Sequence, residues 1–319
     1  MAVRVLITGA TGFVGGHLAR HLFDTMPDVV IHGTTLPSQK SEQNDGVIYH
    51  AIDLKQQKAV HDLIKNIQPD HIYHLAAQAF VPRSFEAPWE TLENNISAQL
   101  NVITACIDAG IEPRILVISS AEIYGPVHPE ELPLTEKAEL RPTSPYSVSK
   151  IAQDMLALQY SISHGLPIMR ARPFNHFGPG QNENFVAPAF AMQIARIEAG
   201  KQDATIYVGD LSAKRDFTDV RDIVRAYHAI IEHGIPGDVY NVCSGQSHTI
   251  EALLNELIKL STSPITIAID EARLRPVTIP ELRGDCSHLH QVTGWQPQIT
   301  FQQSLADILD DCRRRVKGA

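Results

Sequence analysis

"TGATGFVGG", residues 8–16, directly follows the apolar run Val3-Arg4-Val5-Leu6-Ile7 and leads into a helix-like stretch from Phe13 to about Phe23. Gly9, Gly12 and Gly15 form the pattern G-x-x-G-x-x-G. Glycine is needed where a chain turns sharply from strand to helix, and where backbone must approach a pyrophosphate with no Cβ in the way. The helix N-terminus behind such a turn offers free N–H groups and positive dipole to that anion. A tight turn alone would also explain the glycines. Their place after the first strand of an alternating pattern points to dinucleotide binding.

That alternation continues outward. Val29-Val30-Ile31-His32, Val47-Ile48-Tyr49, Ile72-Tyr73-His74-Leu75 and Ile115-Leu116-Val117-Ile118 read as short strands. Ala59, Val60, Leu63, Ile64 and Ile67 recur at helical spacing, and a further helix is expected from about Asn95 to Ala109, stopped by Gly110. Strands separated by helices predict right-handed βαβ units and a doubly wound parallel sheet, the α/β Rossmann class. After about Pro173 the rhythm loosens. Helices are expected near 186–199, 221–233, 249–260 and 301–316, and strands near 205–208, 239–242 and 265–269. The reading is a dinucleotide-binding domain over 1–172, with a return strand near 237–243, and a smaller α/β substrate domain over 173–319.

Composition narrows the partners. A net charge of −9 argues against a nucleic-acid surface, which requires clustered Lys and Arg. The basic run at 313–317 suits the last turn of a helix. Cys106, Cys243, Cys286 and Cys312 lie far apart with no C-x-x-C, so reduced thiols are expected, with neither a disulfide framework nor a metal site. No signal-like segment and no run of eighteen apolar residues is present, and a cytoplasmic enzyme away from membranes is expected.

The second strand bears on which dinucleotide is bound. NAD enzymes usually place an acid at its end for the ribose 2′-hydroxyl. Here "IHGTTLPSQK" (31–40) has no acid before Glu42, while Thr34, Thr35 and Lys40 offer hydroxyls and a charge to a 2′-phosphate. NADP(H) is favoured and NAD stays open. Asp53-Leu54 is placed for the adenine edge, although Asp53 also suits a helix cap.

"SPYSVSK" (144–150) sets Tyr146 and Lys150 four apart on one helix face. A tyrosine with a pKa near ~10 is a poor acid or base at neutrality. A neighbouring ammonium and a positive nicotinamide are expected to lower that value, which suits proton exchange at a carbinol carbon.

Joined with the glycine turn and Ser119-Ser120, this set resembles the extended, nucleotide-sugar-modifying branch of the short-chain dehydrogenase/reductases. "HLAAQ" (74–78), Asn95, "ARPFNHFGPGQ" (171–181), "KRDFTDVRDIV" (214–224), "YNVCSG" (240–245) and "TGWQPQITF" (293–301) extend the resemblance over nearly the whole chain. It implies Tyr146 as acid/base, Lys150 as its ribose-binding partner and Ser120 as a hydrogen-bond donor to the reacting oxygen. It implies a cofactor surface of Gly9, Thr11, Gly12, Phe13, Val14, Gly15, Thr34, Asp53, Leu54, Leu75, Ala76, Ala77, Tyr146, Lys150 and Pro173. Asn175 would contact substrate and Arg215 its diphosphate, with Arg275 and Arg283 at the nucleotide end or in surface ion pairs. A homodimer through a four-helix bundle, from helices near 85–109 and 145–163, is also implied.

Within the branch, "RDFTDVRDIV" and "YNVCSGQ" are similar to reductases of GDP-linked 4-keto-6-deoxy sugars, which use NADPH. The 4,6-dehydratases and 4-epimerases, which recycle their cofactor, are the alternative, and a non-catalytic NADP-binding protein a remote one. "SSAEIYG" (119–125) holds the deciding ambiguity, because Glu122 stands where the dehydratases keep a base. Missing dehydratase features, an Arg pair after the second strand and Trp-Gly in place of Phe217-Thr218, favour a hydrogen-bonding role for it in a reductase. His17 and His21, like His288 and His290, are expected to face solvent, with no third ligand to complete a metal site. His74 and His176 are expected to pack or hydrogen-bond near the ligands.

Overall fold

The computed structural model describes residues 2–38, 45–271 and 279–318. In the first half, strands β1 (Val3–Thr8), β2 (Val29–Thr35), β3 (Ile48–Ala51), β4 (His71–His74) and β5 (Arg114–Ile118) alternate with helices. Those helices are α1 (Phe13–Thr25), α2 (Gln57–Ile67), α3 (Val81–Glu86), α4 (Pro88–Asp108) and α5 (Pro145–His164). β6 (Ile168–Pro173) and β10 (Val239–Val242) complete one seven-stranded sheet in the order β10-β6-β5-β4-β1-β2-β3, parallel throughout.

Alternation along each strand builds two cores. Val5 and Ile7 face α1 and α7 (Val220–His233), together with Met169 and Tyr240. Leu6, Ile72, Ile115 and Ile168 face α2, α4 and α5 on the other side. β1 has β2 on one side and β4 on the other, so the strand order reverses there. A crevice opens at the strands' C-terminal ends at such a point, where the glycine turn leaves β1.

A separate apolar core joins α6 (Val186–Glu198), α8 (Ile250–Lys259) and α10 (Phe301–Gly318). β9 (Lys214–Asp219) carries short partners: β7 (Asn175–Phe177), β11 (Ser247–Thr249) and β13 (Glu281–Leu282). β8 (Thr205–Val208) pairs with β12 (Thr266–Ile269), and α9 (Ser287–Thr293) packs beside β10.

One helix boundary needs correction. α4 starts at Pro88, near the 85 that the resemblance implied and earlier than the Asn95 read from the pattern, and α3 precedes it unannounced. Pro82 and Pro88 both sit in first turns, where the missing N–H costs nothing. Among the described residues no helix is long and apolar enough to cross a membrane.

Candidate active site

The turn after β1 is as tight as its glycines suggest. Gly9 has φ +70°, and a Cβ there would lie 3.1 Å from the Ala76 backbone at the end of β4. A Cβ on Gly15 would stand 2.6 Å from the carbonyl oxygens of Gly9 and Ala10. Gly12 is the N-cap of α1 with no side-chain cap, so the first N–H groups of the helix keep their donors for a ligand. Ala76 N–H donates to Thr8 Oγ1 (3.1 Å), which fastens "HLAAQ" to the same turn.

A cleft of about 510 Å³ opens over this turn. Gly9, Thr11, Gly12, Phe13, Val14, Gly15, Thr34, Asp53, Leu54, Leu75, Ala76, Ala77 and Pro173 all line it, as do Ser120, Glu122, Tyr146, Lys150 and Asn175. Thr34 Oγ1 accepts from Gly9 N–H (3.1 Å), so this hydroxyl braces the turn. Thr11 and Thr35 hydroxyls lie 3.3 Å apart beside it. Asp53 Oδ1 accepts from Lys55 N–H (3.0 Å), whereas α2 is capped at Gln56, so Asp53 is not a helix cap. Lys40 and Glu42 lie outside the described residues.

α5 brings the polar set together. Ser144 caps it by accepting from Ser147 N–H (3.0 Å), and Pro145 occupies its first turn. Tyr146 and Lys150 are thereby buried on one face. Lys150 Nζ donates to the Ile118 carbonyl (2.8 Å), and the Tyr146 hydroxyl lies near Ser120. One turn further on, Asp154 binds Arg170 (2.7 Å) and Arg172 (2.8 Å), which pins α5 to β6. Tyr124, the other tyrosine of "SSAEIYG", donates to Asn241 (2.7 Å) and accepts from Arg172 (3.1 Å), away from the cleft lining.

Burial pushes Tyr146 up to about 12, against Ser120, which favours the anion, and Glu122 pushes it further up. Burial brings Lys150 down to about 7. The protein's own groups therefore hold Tyr146 as a protonated acid. Burial is the largest cause, and the Lys150 nitrogen stands 6.0 Å from the centre of the tyrosine ring.

Glu122 is raised by burial and opposed by the Arg215 charge. Arg215 faces Glu122 and donates to the carbonyls of Lys214 (2.8 Å) and Ile279 (2.9 Å). Neither Arg215 nor Arg283 lines the cleft itself, and Arg283 pairs with Glu281 (3.3 Å). Arg275 lies outside the described residues.

Several histidines are more occupied than expected. His17 is half-buried, with Nε2 2.8 Å from the Pro179 carbonyl, and His21 meets His228 at 3.1 Å. Neither is fully exposed, because the α1 surface that carries them is partly covered by the loop after β7 and by α7. His288 contacts Asp238 (3.0 Å) and stacks on Tyr240, while His290 is exposed. His74 is buried against Thr8 Oγ1 (3.0 Å), and His176 stacks on Phe13. Among the described residues no group of three or more His, Cys, Asp or Glu is placed to hold a metal.

Sequence reasoning missed Phe185, Tyr227 and Leu282, which also line the cleft. Phe174 and Gln181 lie within "ARPFNHFGPGQ" and were available from that motif. Tyr227 and Leu282 carry no local signal, since α7 and β13 reach the site only through packing.

A glycine-cradled cleft beside a Ser/Tyr/Lys set is the arrangement of a dinucleotide-dependent oxidoreductase. The chain belongs to the GDP-mannose 4,6 dehydratase family, whose profile matches residues 6–308. It is 39% identical over 317 residues to the GDP-6-deoxy-D-mannose reductase of Pseudomonas aeruginosa, covering 99% of each chain. It is 30% identical over 327 residues to GDP-mannose 4,6 dehydratase 2 of Arabidopsis thaliana, covering 96% of this chain and 86% of that one. The solved structure of RMD from Pseudomonas aeruginosa complexed with NADPH superposes with a TM-score of 0.87 at 37% identity, covering 98% of this chain and 100% of that one.

Proposed function

We propose that the chain reduces the C4 keto group of GDP-4-dehydro-6-deoxy-D-mannose to give GDP-D-rhamnose, using NADPH. The end-to-end 39% identity with a GDP-6-deoxy-D-mannose reductase carries this reading. The dinucleotide fits the residues present: the turn leaves no room for a Cβ at Gly15, and the N-terminus of α1 lacks a side-chain cap. In this reading residues 1–172, with the return strand near 237–243, hold the cofactor, and the remainder of 173–319 holds the sugar nucleotide.

NADPH, when bound, supplies the hydride. Tyr146, held protonated by burial, delivers its proton to the alkoxide that develops at C4. Ser120, which lines the cleft with that tyrosine, stabilises the same oxygen. Lys150 holds the ribose and helps restore the proton. Asn175 contacts the sugar, and Arg215, half-buried beside Glu122, binds the diphosphate.

Glu122 is the observation that favours elimination, since it lines the cleft beside Ser120. We read it as a hydrogen-bonding residue. Stoichiometric NADPH oxidation with GDP-4-keto-6-deoxymannose is the expected result. Water loss from GDP-mannose without net cofactor change would establish the dehydratase instead.

The reading includes a homodimer through α4 and α5. Val148, Met155 and Ile162 recur every seven residues along α5 and are exposed, with Ile162 at 76%, and Trp89 on α4 is exposed at 75%. Light scattering should give twice the chain mass, reduced to one chain by Ile162→Asp. The unpaired thiols support a cytoplasmic location, which cell fractionation would test.

A further inference from the structure

Cys243 and Cys286 are two thiols that the fold brings together and that the reduction does not use. Cys243 follows β10 and is fully buried, and Cys286 is half-buried just before α9. Cys286 packs against the small apolar cluster that contains Cys243, Phe174, Ile279 and Leu282. The two thiols lie close enough to act on each other, Cys243 being raised and Cys286 lowered by the pairing. Cys106 and Cys312 lie in two other cores, away from this pair.

The segment 279–286 is a strap between the pair and the cleft. Leu282 lines the cleft, and the Ile279 carbonyl accepts from Arg215 (2.9 Å). The buried Asp216 carboxylate knots the strap to the chain after Cys243. It accepts from Ser244 N–H (2.8 Å), Gly245 N–H (2.9 Å) and Gly284 N–H (3.3 Å). The strap has no slack, because a Cβ at Gly284 would lie 2.7 Å from Cys243 Sγ and 2.6 Å from the Phe174 ring.

We propose that Cys243 and Cys286 are a reversible disulfide site, closed by a peroxide and opened by a dithiol, and that closure weakens sugar-nucleotide binding by displacing this strap. The Cys286 thiolate attacks hydrogen peroxide, the O–O bond breaks, and hydroxide leaves with a Cys286 sulfenic acid formed. Cys243 sulfur then attacks the sulfenic sulfur. Its proton leaves with the displaced hydroxyl as water, and the S–S bond forms. In sum, two thiols and one peroxide give one disulfide and two waters. Cys286 is the thiolate because it is the more exposed of the two and its neighbour Cys243 holds it below the usual thiol range, while burial raises Cys243. A disulfide holds its sulfurs ~2.05 Å apart, well inside the separation of two unbonded thiols. Closure therefore moves the strap that carries Leu282 and the acceptor of Arg215.

The test treats the full chain with stoichiometric hydrogen peroxide, then counts thiols after denaturation and maps peptides. The expected result is loss of two of the four thiols, a 243–286 cross-link, and recovery of all four with dithiothreitol. Cys286→Ser should abolish the cross-link, and Cys243→Ala should leave Cys286 as a sulfenic or sulfinic acid. The kinetic arm rests on the function proposed above: KM for the keto sugar nucleotide should rise at least threefold on oxidation, with KM for NADPH unchanged. Four thiols persisting, or a cross-link between other cysteines, would overturn the site. A 243–286 cross-link with unchanged KM would overturn its effect on binding. Mass and thiol count do not depend on turnover, so failure of the assigned reaction stays distinguishable from failure of this proposal.

Discussion

Lys150 Nζ donates to the carbonyl oxygen of Ile118 across 2.8 Å, which ties the middle of α5 to the last residue of β5. The next residues, Ser119 and Ser120, leave the sheet at that point, and the Tyr146 hydroxyl meets Ser120 one helical turn before the lysine. The bond sets the register between the helix that carries the acid and the strand that carries its partner.

Removal of the Tyr146 hydroxyl is the direct check on its assigned role. Tyr146→Phe should lower kcat by roughly 10²–10⁴, the usual range for general acid catalysis. Fluorescence titration should give the same NADPH affinity as the parent. Retained turnover would take Tyr146 out of the mechanism.

Lys150 makes stability depend on pH. Burial lowers it from 10.5 to about 7, so between those values the folded chain binds fewer protons than the unfolded one. Stability from this group rises with pH across that window, and is lowest below pH 7 where the buried ammonium is charged. The Tm of the parent relative to Lys150→Met should increase between pH 7 and 10 by at least about 3 °C, a shift that corresponds to roughly 1 kcal/mol. A pH-independent difference would contradict the burial argument.

Glu122→Gln separates reduction from elimination. The amide keeps a hydrogen-bonding group beside Ser120 but removes a base. Reductase kcat should change less than about tenfold, the range of one neutral hydrogen bond. No dehydration of GDP-mannose should be measurable before or after the change. A loss of several hundredfold would make the carboxylate itself part of the reaction.

The Asp154 cluster anchors α5. Asp154→Asn leaves Arg170 and Arg172 buried without their counter-charge, and should cost about 3–5 kcal/mol of unfolding free energy in a urea melt. A loss below about 1 kcal/mol would mean that water or another acid reaches the two guanidinium groups.

Gly15→Ala tests the cradle. Its Cβ would stand 2.6 Å from two backbone oxygens of the turn. Backbone cannot swing aside as a side chain can, so NADPH affinity should fall at least tenfold while the far-UV spectrum of the fold is kept. Unchanged affinity would mean that the turn does not hold the pyrophosphate.

Much of this was legible along the chain because it is local. Val5 and Ile7 alternate with Leu6 by strand geometry alone, and Gly9, Gly12 and Gly15 are separated by the distances a single turn requires. Tyr146 and Lys150 share a face because they are four apart on a helix. The starts of α3 and α4 were hidden because proline reads as a breaker while also suiting a first turn. β7, β11 and β13, two or three residues each, exist only through pairing with β9.

Tertiary structure decided the rest, because burial and partners are set by segments distant in sequence. It raised Tyr146 where a neighbouring lysine alone would lower it, since burial of the hydroxyl is the largest effect on it. It set Arg215 opposite Glu122 and engaged Arg283 with Glu281. It also brought Cys243 and Cys286 into one cluster from 43 residues apart, by folding the strap back against the end of β10. Spacing along a chain determines which residues share a turn or a face; solvent exclusion and charge partners follow only once the distant segments have packed.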